Sequence, residues 1–463
     1  MKTSRRQFIG SAAAVAAATL VPRHVLGGTR FVPPSEKVNV ALVGAGGQGR
    51  TNLRALFQEP DVQVIAVADP AEHWNLDAFY YGGDAGRKPV KAEIEKCYSA
   101  KTPNFRCAEY EDFRLMLESE KAVDAILCAT PDHLHAYVSV LAMRAGKHVY
   151  CEKPLTHNIW EARKVAQVAK ETGLATQLGN HGHSRETIRQ TCEWIWDGVI
   201  GPVTEVHVWV RAGRFNPSLT GKPTDAAAVP SGLNWDLWLG PREPRPFHPA
   251  YAPVTWRDFW AFGTGTMGDF GCHDLDNSLW ALDLDAPQSV EAFPAGNMNA
   301  EIAPHGEICY YEFGPRGDKP PVKITWYDGG LQPPWPKEMG PGRPLPEHGV
   351  LFVGSKGKLL TEGWAGQQRL LPYEKTASYK KPPKTLPRSK GHHRDWLDAC
   401  KGGRSASSNF QYGAKLTELV LLGVLAVRLG QRISWDAVNL KVPGVAKADA
   451  LINEPRRKGW EIV

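Results

Sequence analysis

Asp269 and His273 lie four residues apart in Gly263-Thr264-Gly265-Thr266-Met267-Gly268-Asp269-Phe270-Gly271-Cys272-His273-Asp274-Leu275-Asp276. On a helix that spacing puts a carboxylate and an imidazole on one face. So placed, they can orient a hydroxyl and move its proton. Asp276 stands about one turn beyond His273 and is read as a hydroxyl ligand. The plainer alternative is a capping aspartate beside a core histidine. A metal site would need a third ligand, and none stands at a convincing spacing, so no metal is expected.

A second set of residues could hold a phosphate. Gly44, Gly46 and Gly49 follow the apolar run 38–43 at G-x-G-x-x-G spacing, with Gly47 and Gln48 inside the turn. Gly44 permits a tight strand-to-helix turn, Gly46 lets backbone approach a pyrophosphate, and Gly49 lets the helix pack close on the strand. The helix after this turn, with Leu53, Leu56 and Phe57 as its apolar face, would offer free N–H groups and a positive dipole end. A second apolar run, 62–68, ends at Asp69, where an acid would grip ribose hydroxyls.

These residues need elements to position them. From residue 38 to about 154, strand and helix signals alternate: a buried strand at 122–129, a helix at 133–144 stopped by Gly146, and a short strand at 147–151. The alternation predicts a doubly wound parallel α/β sheet, with residues 71–106 as a less regular insertion. A helix at 160–172 comes next. Strands at 203–211, 307–313, 322–327 and 349–353 then have little helix between them. They predict an α+β domain on a large, open, mostly antiparallel sheet. Segments 214–256, 328–348 and 372–391 are rich in Pro and Gly and read as long loops. Helices at 392–400 and 413–429 return at the end. The expected divisions are a leader at 1–30, a dinucleotide-binding domain at 37–155, a substrate and oligomerisation domain at 156–440, and a tail at 441–463.

Composition is globular, with 42% hydrophobic and 22% charged residues. The net charge of +6 is misleading, because Lys2, Arg5, Arg6, Arg23 and Arg30 stand in an N-terminal segment without acids. The near-neutral remainder gives no basis for a nucleic-acid partner. Eight cysteines form no C-x-x-C pair and read as buried small hydrophobes. Arg5-Arg6 precedes a short Ala-rich apolar stretch at 8–21, which matches a twin-arginine signal. The alternative is a chance Arg pair before a membrane anchor. The signal predicts export by the twin-arginine machinery to the periplasm or beyond, with no stable membrane span after processing.

Two further segments name a family: Cys128-Ala129-Thr130-Pro131-Asp132-His133-Leu134-His135 and Cys151-Glu152-Lys153-Pro154-Leu155, each at a strand end. Together with the glycine turn and the Asp269 segment, they closely resemble the Gfo/Idh/MocA family, over about residues 37–440. That family includes glucose–fructose oxidoreductase and inositol dehydrogenase. The resemblance implies that Lys153 is catalytic with Asp269 and His273, its pKa lowered beside a cationic nicotinamide. It implies that Thr130, Pro131 and His135 lie along the cofactor and that Glu152 contacts the nicotinamide ribose. Asp69 favours NAD over NADP, since a 2′-phosphate would meet its charge, and Pro70 follows where a basic residue could have stood. His181, in Asn180-His181-Gly182-His183, is expected to face the cleft. Trp235, Trp238, Trp256 and Trp260 precede Asp269. They either stack on sugar faces, with Trp235 and Arg257 as substrate contacts and His248 nearby, or pack the loops.

The resemblance implies three candidate functions. The first is an NAD(P)-dependent oxidoreductase acting on a sugar, glycoside or cyclitol hydroxyl. The second is an α-N-acetylgalactosaminidase-like glycosidase that oxidises its substrate only transiently, although Gln48 stands where many such enzymes carry arginine. The third is a non-catalytic sugar binder. Export favours a tightly bound, internally recycled cofactor, because little free NAD is present outside the cytoplasm. The C-terminal sheet is expected to pair with a second copy.

Overall fold

The structure, a computed structural model, describes Pro33 and residues 36–462. The expected leader, residues 1–30, lies outside the described residues. Strand β1 (Val38–Val43) runs into α1 (Gly47–Leu56), and β2 (Val62–Ala68) comes next. A short ribbon, β3 (Trp74–Asn75) with β4 (Asp84–Ala85), leads to α2 (Arg87–Ser99) and β5 (Ala108–Tyr110). Then come α3 (Phe113–Ser119), β6 (Ala125–Cys128), α4 (Asp132–Arg144), β7 (His148–Cys151), α5 (Ile159–Thr172) and β8 (Thr176–Leu178). Six strands form a parallel sheet in the order β5-β2-β1-β6-β7-β8. Val40, Ala41 and Leu42 are buried, as strands covered on both faces require. Strand order reverses between β1 and β6, so the chain leaves these neighbours in opposite directions and opens a crevice at their carboxyl ends.

The boundary expected at residue 155 falls inside this domain. Helix α5 is the crossover to β8, so the parallel sheet ends only at Leu178. Three residues are too short a strand for periodicity to reveal. Residues 71–106 are more regular than expected, because they contain α2. Its buried face is only Arg87, Val90 and Ile94, a thin apolar signal.

The second domain continues with α6 (Glu186–Trp196), β9 (Val203–Val210), α7 (Trp235–Leu239), α8 (Gly265–Asp274) and α9 (Asp276–Leu282). After these come strands β10 (Ser289–Ala295), β11 (Gly306–Phe313), β12 (Val322–Tyr327), β13 (His348–Gly354), β14 (Gly357–Glu362) and β15 (Gln368–Leu371). The chain closes with α10 (Glu374–Ser378), α11 (His392–Cys400), α12 (Phe410–Leu429), β16 (Ile433–Ser434) and α13 (Ala446–Ile452). Eight strands form one sheet, β15-β14-β13-β9-β12-β11-β10-β16, in which only β9 and β12 pair in parallel. Helix α12 is apolar on all sides and packs against α5, α8, β10 and β11. By length and composition it could cross a membrane, but here it is the buried core helix joining the two domains. Asn409 caps its start, accepting from the Gln411 and Tyr412 N–H groups, and left-handed Gly430 ends it. The outer face of the sheet is partly covered by the chain itself. Met339 and Leu345 lie over Trp209, Tyr327, Leu351 and Leu360.

Within the expected tail, residues 441–462 pack back on the domains. Trp460 packs on Tyr137 of α4, with ring centroids 5.8 Å apart. The Glu454 carboxylate lies 2.6 Å from Arg242, 2.7 Å from Arg428 and 3.1 Å from His157. Burial alone would raise its pKa, but the cations around it hold it well below the usual carboxylate range. Glu454→Ala would leave two arginines facing each other in a buried site. It is expected to cost about 3–5 kcal/mol in urea denaturation. A loss of less than about 1 kcal/mol, typical of an exposed pair, would show that the tail does not anchor the fold.

Candidate active site

A cavity of about 520 Å³ occupies the crevice at the carboxyl ends of β1 and β6. Its floor is the glycine turn. Gly44 has φ +93°, and a Cβ there would stand 2.5 Å from the carbonyl carbon of Ala129, so the turn runs hard against the end of β6. A Cβ on Gly49 would lie 2.1 Å from the Gly44 carbonyl oxygen. Gly49 therefore seats α1 under its own turn. It does not line the cavity, contrary to its expected place among the cofactor contacts. Gly44, Gly46, Gly47 and Gln48 do line it, and the space above Gly46 is open. The N-terminus of α1 thus faces a cradle that fits a pyrophosphate.

Asp69 ends β2 at the same rim. Its Oδ2 accepts from Ala45 N at 2.7 Å and its Oδ1 from Ala71 N at 2.8 Å, which fixes the carboxylate beside the turn. Burial pushes its pKa up to about 6, although both backbone N–H groups favour the charged form. Glu152, after β7, also lines the cavity. Its Oε1 accepts from Asn52 Nδ2 at 2.8 Å and lies 3.6 Å from His181 Nε2, whose own hydrogen-bond partner is the Tyr150 hydroxyl at 3.0 Å. Burial opposes its charge, yet His181, Asn52 and Lys153 bring its pKa down to about 2.

Thr130 and Pro131 line the cavity beside the turn. His135 reaches the same wall, but its Nδ1 faces Pro154 O at 2.6 Å and its Nε2 faces Thr130 O at 2.8 Å. Neither nitrogen is free for a cofactor. The side chain instead ties the two strand-end turns together. His135 also stands near Cys128 and Cys151 in a buried group with metal-like composition. Both ring nitrogens are already engaged by carbonyl oxygens, so the grouping is accounted for without a metal. All eight cysteines are free thiols.

Helix α8 carries Asp269 and His273 on one face toward the cavity. Lys153 Nζ donates to Asp269 Oδ1 at 2.5 Å and to its carbonyl oxygen at 2.6 Å. Arg257 Nε lies 3.4 Å from the same Oδ1, and its guanidinium stacks over Trp256 at 4.2 Å. A Cβ on Gly263 would stand 2.5 Å from Arg257 Cα, so the first glycine of the motif lets that loop close on the helix. Burial would raise the Asp269 pKa, but Lys153 and Arg257 hold it far below the carboxylate range. The lowering expected from the sequence rests on a bound cationic nicotinamide, and the protein groups by themselves act the other way. Burial disfavours the ammonium, but Asp269 outweighs burial and raises the Lys153 pKa above its ordinary value. His273 goes the other way. Burial first, then the neighbouring Lys153, push its pKa down to about 3, so it is neutral at pH 7. Its ring stacks on Trp364 at 4.6 Å, and no protein group among the described residues pairs with its buried Nδ1.

His181 and Arg257 line the cavity, as expected of substrate contacts. Trp235 and Asp276 do not. Trp235 stacks on Trp238 within the loop core and donates from Nε1 to Arg245 O. Its neighbour Trp238, three residues on, reaches the cavity instead, with Trp256. Asp276 is 1% exposed and accepts from Asn180 and Tyr412 while facing His183, so it braces α9 rather than a ligand. Trp74, Tyr80, Tyr81 and Trp364 also line the cavity, and no sequence signal marks them. The first three come from an insertion with no motif. Trp364 comes from the β14–β15 turn, about ninety residues from the histidine it covers. Its positive φ, like that of Ala365, is invisible in residue type.

Comparison with known proteins identifies both domains. Residues 38–180 match the family model for the NAD-binding Rossmann fold of an oxidoreductase family. Residues 187–310 and 364–462 match that family's C-terminal alpha/beta domain. The chain belongs to the Gfo/Idh/MocA oxidoreductase family. It is similar to a glycosyl hydrolase family 109 protein of Stenotrophomonas maltophilia, 26% identical over 50% of this chain and 49% of the relative. It is also similar to an inositol 2-dehydrogenase of Rubrobacter xylanophilus, 30% identical over 41% of this chain and 48% of the relative. The matched stretches span about half the length of these curated relatives. In fold it is similar to the WlbA dehydrogenase of Bordetella pertussis, solved with NADH and UDP-GlcNAcA. The TM-score is 0.58 at 16% identity, over 86% of this chain and 99% of that one.

Burial sets the Asp69 pKa to about 6. Protonation would remove the carboxylate expected to accept ribose hydroxyls, so NAD affinity is expected to fall as pH drops. Calorimetric titration is expected to show binding about tenfold weaker at about pH 5 than at about pH 7. Asp69→Asn should bind weakly with no such dependence. Equal wild-type affinity at both pH values would contradict the role of Asp69.

Proposed function

We propose that this protein is an NAD-dependent oxidoreductase acting on a sugar, glycoside or cyclitol hydroxyl, with a cofactor held and recycled in place. The observation that carries this reading is a neutral imidazole, His273, beside a charged lysine, Lys153, in the same cavity as the glycine turn. NAD, when bound, supplies the hydride acceptor. Lys153, held by Asp269, donates a hydrogen bond to the substrate hydroxyl oxygen and favours the developing alkoxide. His273, neutral and without a protein partner at Nδ1, is the group placed to take the hydroxyl proton. Negative charge growing on the substrate oxygen offsets the Lys153 charge that lowers its basicity, bringing it toward the range a base needs. Arg257 and His181 stand where further hydroxyls would be held. Trp364 fixes the imidazole plane and excludes water from one side of it.

Export belongs to the same proposal. It is supported by Arg5-Arg6 and the apolar stretch after it, and it fits a cofactor that is not exchanged. Self-association through the C-terminal sheet is supported by Phe293, 53% exposed, packed beside Tyr310 on the part of the outer face that the loop leaves open.

The likeness to a glycosyl hydrolase family 109 protein favours one second reading. A transient oxidation at C3 would acidify the C2 proton, the C1 substituent would leave, water would add, and the hydride would return. The same Lys153 and His273 serve the oxidation in both readings, which diverge only after the hydride has left the sugar.

Denaturing the purified protein is expected to release stoichiometric NAD, and finding no nucleotide would contradict a retained cofactor. His273→Ala is expected to lower kcat about 10²- to 10⁴-fold while NAD binding is unchanged. Turnover of an aryl glycoside in heavy water separates the readings. The oxidoreductase leaves the glycosidic bond intact and C2 unlabelled, whereas transient oxidation releases the aglycone with deuterium at C2 and no net NADH.

A further inference from the structure

The insertion between β2 and α2 crosses the mouth of the cavity. Trp74, Leu76, Tyr80 and Tyr81, all from this segment, line it. Tyr81 stands on the glycine turn itself, since a Cβ added to Gly47 would lie 2.1 Å from the Cγ of its ring. Tyr80 leans on Tyr81 with ring centroids 4.0 Å apart and is 70% exposed. The tyrosine pair thus lies between the N-terminus of α1 and solvent.

The segment is pinned to both domains. At its start Glu72 N donates to Gly232 O at 2.8 Å, and Ala71 forms an isolated antiparallel bridge with Leu233. At its end Gly86 N donates to Ala45 O, inside the glycine turn, at 2.8 Å. Leu76 and Ala85 are buried against Val254, in the loop that carries Arg257. The tip packs Phe79 and Tyr81 on this same cluster and is tied back to α1 by a single side-chain hydrogen bond. Arg50, on the first turns of α1, donates to Gly82 O at 2.9 Å, and Asp77 accepts from Gly83 N to close the turn. Gly82 and Gly83 both have positive φ, so the two residues after the tyrosines are a natural hinge.

We propose that residues 71–86 form a strap over the dinucleotide site, and that Tyr81 is a cofactor-contact residue which keeps a bound dinucleotide from leaving. A diphosphate seated on the Gly46 and Gly47 N–H groups lies against the Tyr81 ring, because that ring already touches Gly47. Release requires the tip to swing out, which breaks the Arg50 to Gly82 bond and lifts the ring from the turn. The pinned ends stay in place. The strap therefore slows dissociation without changing the groups that move the proton. This inference rests on the NAD site assigned above and names the residues that make its cofactor a resident one.

The test is the NAD dissociation rate, followed by chasing bound NAD with excess ADP-ribose and reading free NAD after rapid filtration. Tyr81→Ala and, separately, Arg50→Ala are expected to release NAD at least tenfold faster than wild type. Each should lose more nucleotide on gel filtration while keeping the wild-type melting temperature without nucleotide. Arg50→Ala leaves Tyr81 in place, so it tests the strap even if Tyr81→Ala folds poorly. Wild-type protein that binds no NAD would overturn the site itself. Wild-type protein that binds NAD, with both variants releasing it at the wild-type rate, would overturn the strap and leave the site standing.

Discussion

The Asp269 carboxylate, buried between Lys153 and Arg257, is the contact on which the site depends. Lys153 comes from the end of β7 in the parallel-sheet domain. Asp269 comes from α8 in the second domain, and Arg257 from the loop before it. One carboxylate therefore fastens the domains at the wall of the cavity. A buried carboxylate without cations would take up a proton, and a buried lysine without an anion would lose one. Together they keep both charges, while burial first and the lysine charge second keep the adjacent His273 neutral. Burial and this ion pair together set the protonation states of Lys153 and His273 apart.

The rest of the fold holds that geometry. Helix α12 runs buried between the domains and contacts both α5 and α8, so the relative placement of Lys153 and Asp269 is fixed by a packed core. Glu454 gathers Arg242, Arg428 and His157 into a second buried charge cluster. His157 also reaches Gly263 O, at the start of the Asp269 segment. Asp132, at the start of α4, accepts from Thr264 in the same segment. The polar groups under the cavity are thus mostly spent on each other, which leaves the Lys153 ammonium and the His273 imidazole to meet a ligand.

Much of this was legible in the sequence where it was local. The glycine turn, Asp69, Glu152, Lys153 and the Asp269–His273 spacing are each set within a few residues at a strand end or on a single helix, and the structure brings them to one cavity. Residue type and spacing misled where long-range packing decides. Trp235 and Trp238 are indistinguishable on the sequence, and only the direction of a five-residue helix sends one inward and the other to the cavity. Asp276 follows the helical register of Asp269 and His273 on paper. The chain, however, leaves α8 at Leu275 and starts α9, which turns Asp276 toward Asn180 and His183. Trp364 and Tyr81 act through contacts with residues far away in the chain, so no local pattern marks them. The pairing of Lys153 with Asp269 could not be read either, because it is a 2.5 Å contact across domains.

The central claim is the division of labour between a charged Lys153 and a neutral His273. It is tested most directly by ¹⁵N NMR of histidine-labelled, NAD-loaded protein, with the His273 signals assigned by comparison with His273→Gln. The account predicts a His273 imidazole that stays neutral from about pH 8 down to about pH 5, consistent with a pKa near 3. A His273 signal that titrates with a midpoint near the ordinary histidine value of about 6.5 would contradict it.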